Sequence, residues 1–223
     1  MTADLSWQPS LLDAGPEPDV DESFSGLVRV ALDDRSWIER VPAWVSGSDS
    51  LFALLLEGTD WGQRARHMYD QRVLEPRLTW SWLAGSDQAL DPPVLERMRQ
   101  ALSAHYGLEF TSVGLNLYRN GRDSVAWHGD RIAKEIAEPL VGIVSVGEPR
   151  RFLLRPASGG PSRSLLLGRG ELLVTGGATQ RRWQHSVPKV AFAGPRISIT
   201  FRHGPGPPAV EANPGPPAVE AKH

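Results

Sequence analysis

Seven short β-rich runs fill the chain from Ser112 to Arg202: SVGLNLY, SVAWH, LVGIVSV, RFLLR, SLLLG, ELLVTG and RISITFR. Glycine and proline divide them, and no helical pattern lies between them. Parallel strands need long crossovers, usually helical, so this texture excludes a doubly wound α/β sheet. It predicts an antiparallel sandwich or barrel. The front half reads differently. Asp91–Gly107 predicts a helix, with Asp91 as cap, Pro92 in the first turn, Leu95, Met98 and Leu102 on one face, and Gly107 as the stop. Ser50–Glu57 and residues 62–71 carry weaker helical patterns. The expected fold is mainly β with an α/β N-terminal part. Residues 36–203 form one domain with its β core at 112–203, preceded by an acidic, partly irregular segment at 1–35. The repeat PGPPAVEAN, PGPPAVEAK within 204–223 has almost nothing to bury and predicts a disordered tail.

Composition narrows the function classes. A chain of 223 residues with 40% hydrophobic content and eight Trp can bury a real core. The apolar run Leu51–Leu56 is too short to span a bilayer, and no secretory signal opens the chain, so a cytoplasmic location is expected. Cysteine is absent, which excludes disulfide frameworks, thiolate metal sites and thiol nucleophiles. Any metal must be held by His, Asp or Glu. The net charge of −2 hides an asymmetry. Residues 1–35 carry eight acids and two bases, whereas residues 113–203 carry 14 bases and six acids. A basic segment suits a polyanion partner; a solvated arginine face is the plainer reading.

Two of the six histidines stand out. In Trp127-His128-Gly129-Asp130, a strand would turn His128 and Asp130 to one face, and Gly129 lets the backbone come close. His185 follows in a strand-like context. Two imidazoles and one carboxylate are the ligand set of mononuclear non-haem Fe(II) oxygenases, but H-x-D also serves zinc hydrolases and hydrogen-bonded structural histidines. Arg196 and Arg202, six apart in an otherwise apolar run, share one face with Ser198 and Thr200. Two cations turned into a β core are costly without an anion, and a dicarboxylate matches two guanidinium forks. A surface arginine stripe would explain the charges but not their coincidence with the His/Asp/His set.

In order along the chain stand Asn116-x-Tyr118, His128-x-Asp130, Ser145-x-Gly147, His185-x-x-Pro188 and the Arg196/Arg202 pair. This ordered set, spanning about residues 76–202, resembles the AlkB family of 2-oxoglutarate- and Fe(II)-dependent dioxygenases. The resemblance implies a double-stranded β-helix, or jelly-roll, core. It implies His128, Asp130 and His185 as iron ligands, Arg196 and Arg202 as clamps on the carboxylates of 2-oxoglutarate, and Asn116 and Tyr118 as further contacts to it. It also implies oxidative dealkylation of N-alkylated bases in DNA or RNA with O2, releasing succinate, CO2 and an aldehyde. The cofactor performs the difficult step while the protein positions and shields it.

On the substrate side, a base must be flipped from a duplex or presented single-stranded to reach a buried iron. Pro76-Arg77-Leu78-Thr79-Trp80-Ser81-Trp82 resembles the family's substrate-lid strand, within a lid region of about 76–90. Trp80 and Trp82, two apart, face one way as an aromatic wall or as core cover. Arg150, Arg151 and Arg155 are expected phosphate contacts or solvated charges. Arg131 and Ile132 follow the H-x-D where repair members of the family often carry further acids. A monomer is expected. Rival readings are the same chemistry on a protein or small molecule, a non-catalytic nucleic-acid-binding jelly roll, and a zinc hydrolase.

Overall fold

A computed structural model describes residue 5 and residues 17–68, 71–130 and 136–204. The repeat tail beyond residue 204, most of the first 16 residues, and Arg131 with Ile132 lie outside the described residues. In chain order the elements are β1 (Asp19–Val20), β2 (Val28–Ala31), β3 (Ser36–Val41), β4 (Val45–Ser46), α1 (Ser48–Gly58), β5 (Ala65–Met68), β6 (Gln71–Leu74), β7 (Leu78–Leu83) and α2 (Val94–Tyr106). There follow β8 (Phe110–Tyr118), β9 (Val125–His128), β10 (Val141–Gly147), β11 (Arg150–Pro156), β12 (Arg163–Leu167), β13 (Glu171–Gly177), α3 (Thr179–Arg182), β14 (Trp183–Val187) and β15 (Arg196–His203).

The strands build a seven-stranded sheet, β2-β3-β13-β10-β15-β8-β7, facing a four-stranded one, β12-β11-β14-β9. Every pairing is antiparallel, as the absence of crossover helices requires. Strand alternation divides the large sheet's side chains between two layers. Val113, Leu115, Leu117, Ile197, Ile199 and Phe201 point to the helices, where they meet Leu51, Phe52 and Leu55 of α1 and Leu95, Met98 and Leu102 of α2. Each such fully buried side chain contributes about 1.5–3 kcal/mol. The opposite face meets the small sheet, with Ile38, Val141, Ile143 and Leu173 packed on Phe152, Leu154, Trp183 and Val187. Toward β15 and β8 this inner face turns polar, through Asn116, Tyr118, Ser145, Arg196, Ser198, Thr200 and Arg202.

Two expectations are corrected. The described part of residues 62–71 is not helical: β5 and β6 pair antiparallel, so ladder pairing overrides a polar, helix-tolerant composition. Asp91 does not cap α2, which starts at Val94 behind Pro93 with no side-chain cap; Gly107 does end it, in the left-handed conformation at φ 63° that glycine adopts freely. The segment before residue 36 also joins the sheets, since β2 extends the large sheet and β1 pairs with β4.

Candidate active site

His128, Asp130 and His185 converge between the two sheets. His128 ends β9 and lies opposite His185 of β14 in register. Asp130 follows two residues on, where a Cβ on Gly129 would stand 3.1 Å from the Gln180 carbonyl, so glycine suits this close approach to α3. One ligand atom from each of the three lies within 4.8 Å of the others, and the imidazole centroids are 4.2 Å apart.

The donor chemistry fits a divalent metal. The Ala126 carbonyl, 2.9 Å from His128 Nδ1, can only accept, so Nδ1 donates and Nε2 is the nitrogen left to face a metal. Burial pushes the His185 pKa down to about 4, so this ring is neutral at pH 7. Phe152 stacks on it at 5.1 Å. Burial alone would raise the Asp130 pKa, but the Arg202 guanidinium, donating to Oδ1 at 2.7 Å, leads the interactions that together outweigh it, and the carboxyl stays charged with a pKa of about 2. Its Oδ2 is buried without a hydrogen-bond partner and lies 3.9 Å from His185 Nε2. Two imidazoles and one carboxylate with an orphaned buried oxygen could hold a metal ion with coordination positions to spare.

On the same strand as Arg202, which reaches Asp130, a second arginine is turned inward. Arg196 is 1% exposed, the deepest charged group among the described residues. Its Nη2 donates to Ser145 Oγ at 2.6 Å, while Nε and Nη1 have no hydrogen-bond partner. The guanidinium lies 5.3 Å from the ring centroid of buried Tyr118. A buried cation with unused donors calls for a carboxylate. Arg196, Tyr118 and Asn116 share the inner face of adjacent strands, with Arg202 at the other end of β15 beside Asp130. The residues therefore fit a small dicarboxylate such as 2-oxoglutarate as well as a metal.

Expected substrate contacts fare unevenly. Trp80 and Trp82 pair in register with Leu115 and Val113 and pack against the helix-side core, on the face of β7 opposite the His/Asp/His set. They are not a wall of this pocket; Thr79 and Ser81, opposite Asn116 and Gly114, face inward instead. Arg150 is 3% exposed and donates to the carbonyls of Asn120, Asp123 and Pro188, so it fastens loops and has no free face for a phosphate. Arg151 is exposed on the outer face of the small sheet. Arg155 lies 4.2 Å over the Trp127 ring and donates to Gln184 Oε1.

Two neighbours of the site carried no sequence signal of their own. Gln180 Nε2 donates to Thr175 Oγ1 at 2.6 Å, and its Oε1 lies 3.4 Å from the Asp130 amide. Arg77 Nε donates to Asn116 Oδ1 at 3.0 Å. Even spacing of Arg77, Thr79 and Ser81 would have marked the second of these, once the inward parity of β7 was known.

The 2OG-Fe(II) oxygenase superfamily matches residues 61–202. Alpha-ketoglutarate-dependent dioxygenase alkB homolog 3 of Bos taurus is 34% identical over 212 residues, covering 84% of this chain and 73% of the bovine protein. The Homo sapiens protein of the same name is 30% identical over 217 residues, covering 87% and 73%. DNA oxidative demethylase ALKBH2 of Arabidopsis thaliana is 36% identical over 135 residues, covering 50% of this chain and 43% of the plant protein. The solved structure of OsALKBH1 superposes with a TM-score of 0.56 at 13% identity, over 79% of this chain and 100% of that one, a likeness of jelly-roll fold. With the His-Asp-His cluster in that fold and the family match over most of the chain, the protein belongs to the AlkB family of 2-oxoglutarate-dependent dioxygenases, whose cofactors are Fe(II), 2-oxoglutarate and O2.

Proposed function

We propose that this enzyme oxidatively dealkylates N-alkylated bases in DNA or RNA. The observation that carries this reading is the metal-ready His128/Asp130/His185 cluster together with the buried, half-satisfied Arg196 on the strand whose Arg202 holds Asp130, in a chain similar to an alkB homolog 3 and a DNA oxidative demethylase. In this reading His128, Asp130 and His185 hold Fe(II), and Arg196 and Arg202 take the two carboxylates of 2-oxoglutarate, with Asn116 and Tyr118 alongside. Bound iron, 2-oxoglutarate and O2 together supply the oxidation of an alkyl carbon, with succinate, CO2 and an aldehyde as by-products. The chain's own contribution is placement. Arg202 holds Asp130 charged and oriented, and the Ala126 carbonyl orients the His128 ring. The alkylated base enters single-stranded or flipped, and exposed Arg151 is a candidate phosphate contact. We also propose a cytoplasmic monomer, testable by fractionation and light scattering; among the described residues no helix is long and apolar enough to cross a membrane.

The test is succinate release from the Fe(II)-loaded protein with a panel of alkylated oligonucleotides. At least one lesion should raise release above the uncoupled background, and His128→Ala should lower the stimulated rate by more than about 100-fold. Background release that no lesion stimulates would move the substrate to a protein or small molecule. Full turnover in His128→Ala would overturn the ligand assignment.

A further inference from the structure

The corner that leads into β7 is held from several sides. Glu75 N donates to the Arg64 carbonyl, the Glu75 carbonyl accepts Gln63 Nε2 at 2.9 Å, and the Pro76 carbonyl accepts Ser124 N at 2.9 Å. From this corner Arg77 reaches inward with its side chain only 14% exposed. Its Nη2 is ion-paired to the buried Glu75 carboxylate at 2.8 Å, and its Nε donates to Asn116 Oδ1 at 3.0 Å. A guanidinium fixed by a carboxylate on one side is a rigid, directional donor on the other.

This contact has a consequence for Asn116. An amide side chain offers one acceptor oxygen and one donor NH2 group. Arg77 has no acceptor, so its bond selects the rotamer in which Oδ1 faces Arg77. Asn116 must then turn Nδ2, a pure donor, away from Arg77. Asn116 lies in register with Ser198 of β15, between the positions of Arg196 and Arg202. A donor is what an anionic or carbonyl-bearing ligand in that stretch requires; the flipped amide would oppose it with an oxygen. The charge of Arg77 acts in the same sense, for it joins Arg196 and Arg150 around the buried Tyr118 phenol.

We infer that Arg77 is a positioning residue of the cosubstrate pocket, which locks the Asn116 amide with its NH2 toward 2-oxoglutarate while Glu75 anchors the guanidinium. The inference rests on the proposed contact between Asn116 and 2-oxoglutarate, and the experiment separates the two. Calorimetric titration of 2-oxoglutarate into the full chain loaded with Mn(II) reads binding without turnover. Arg77→Gln should weaken binding by about 10–100-fold, as should Asn116→Ala, and the double variant should be little worse than either alone because the two act through one contact. With Fe(II), Arg77→Gln should raise KM for 2-oxoglutarate while kcat at saturation stays within about threefold.

If Asn116→Ala weakens binding and Arg77→Gln does not, the positioning role is overturned and the Asn116 contact stands. Unchanged binding in Asn116→Ala would remove that contact and the inference with it. Fully additive losses in the double variant would make Arg77 an independent contact, against the inference. Should Arg77→Gln strand the Glu75 charge and fail to fold, the charge-neutral pair Glu75→Gln/Arg77→Gln carries the same expectation.

Discussion

Arg150 and Arg151 illustrate how little a charge count says about a side chain's use. Adjacent in sequence, they leave β11 on opposite faces, one into the protein and one into water. Arg150 binds three backbone carbonyls from two loops, Asn120, Asp123 and Pro188. Arg150→Ala should therefore cost about 3 kcal/mol of stability by leaving buried carbonyls unpaired, whereas Arg151→Ala should stay within about 0.5 kcal/mol. Urea unfolding of the two variants checks the contrast, and equal costs would deny Arg150 its fastening role. The sequence pointed to His128, Asp130, His185, Arg196 and Arg202 because polar and charged side chains in an apolar strand context contradict their surroundings. Arg77 and Gln180 contradict nothing in theirs. Their importance lies in the atoms opposite, Asn116 Oδ1 and the Asp130 amide, which no local pattern records.

At the scale of elements, strands β8 to β15 were legible because short apolar, β-rich runs are divided by glycine and proline; β10 and β13, buried on both faces, show no alternation. The pair β5–β6 was not, since its runs ARHM and QRVL carry no strict apolar–polar alternation. Strand β7 falls between these cases. Alternation groups Trp80 with Trp82, but the face they occupy depends on register with β8, a pairing some 35 residues distant in sequence. Because that register sets Trp80 over the helix-side core, Trp80→Ala should lower stability by about 2 kcal/mol through lost burial. Oligonucleotide-stimulated succinate release, assayed where the variant is folded, should change less than threefold. A selective loss of binding to alkylated oligonucleotide at unchanged stability would return Trp80 to the substrate side.

The whole molecule is held together across its sheets by a few polar ties. Asp33, in the turn from β2 to β3, accepts Trp183 Nε1 of the small sheet at 2.7 Å, together with the amides of Arg35 and Ser36. Desolvation would raise the Asp33 pKa, but the Trp183 bond, these amides and Arg182 outweigh it and bring it to about 2. A carboxyl depressed in the folded state stabilises above its unfolded pKa, near 4, and loses that contribution as pH falls toward 2. The melting temperature should thus fall between pH 4 and pH 2, and Asp33→Asn should flatten the fall at the cost of a lower plateau at neutral pH. An unaltered slope in that variant would assign the acid sensitivity elsewhere. The position of β15 bears on how the molecule comes into being. This strand inserts between β10 and β8, both of which precede it in the chain. As a nascent chain leaves the ribosome, β8 and β10 must wait with exposed edges until β15 emerges, and that same stretch delivers Arg196 and Arg202. Closing the sheet and bringing in both arginines are thus a single event in synthesis, so a chain interrupted before residue 196 is left with unpaired strand edges, the kind that chaperones shield and aggregates recruit.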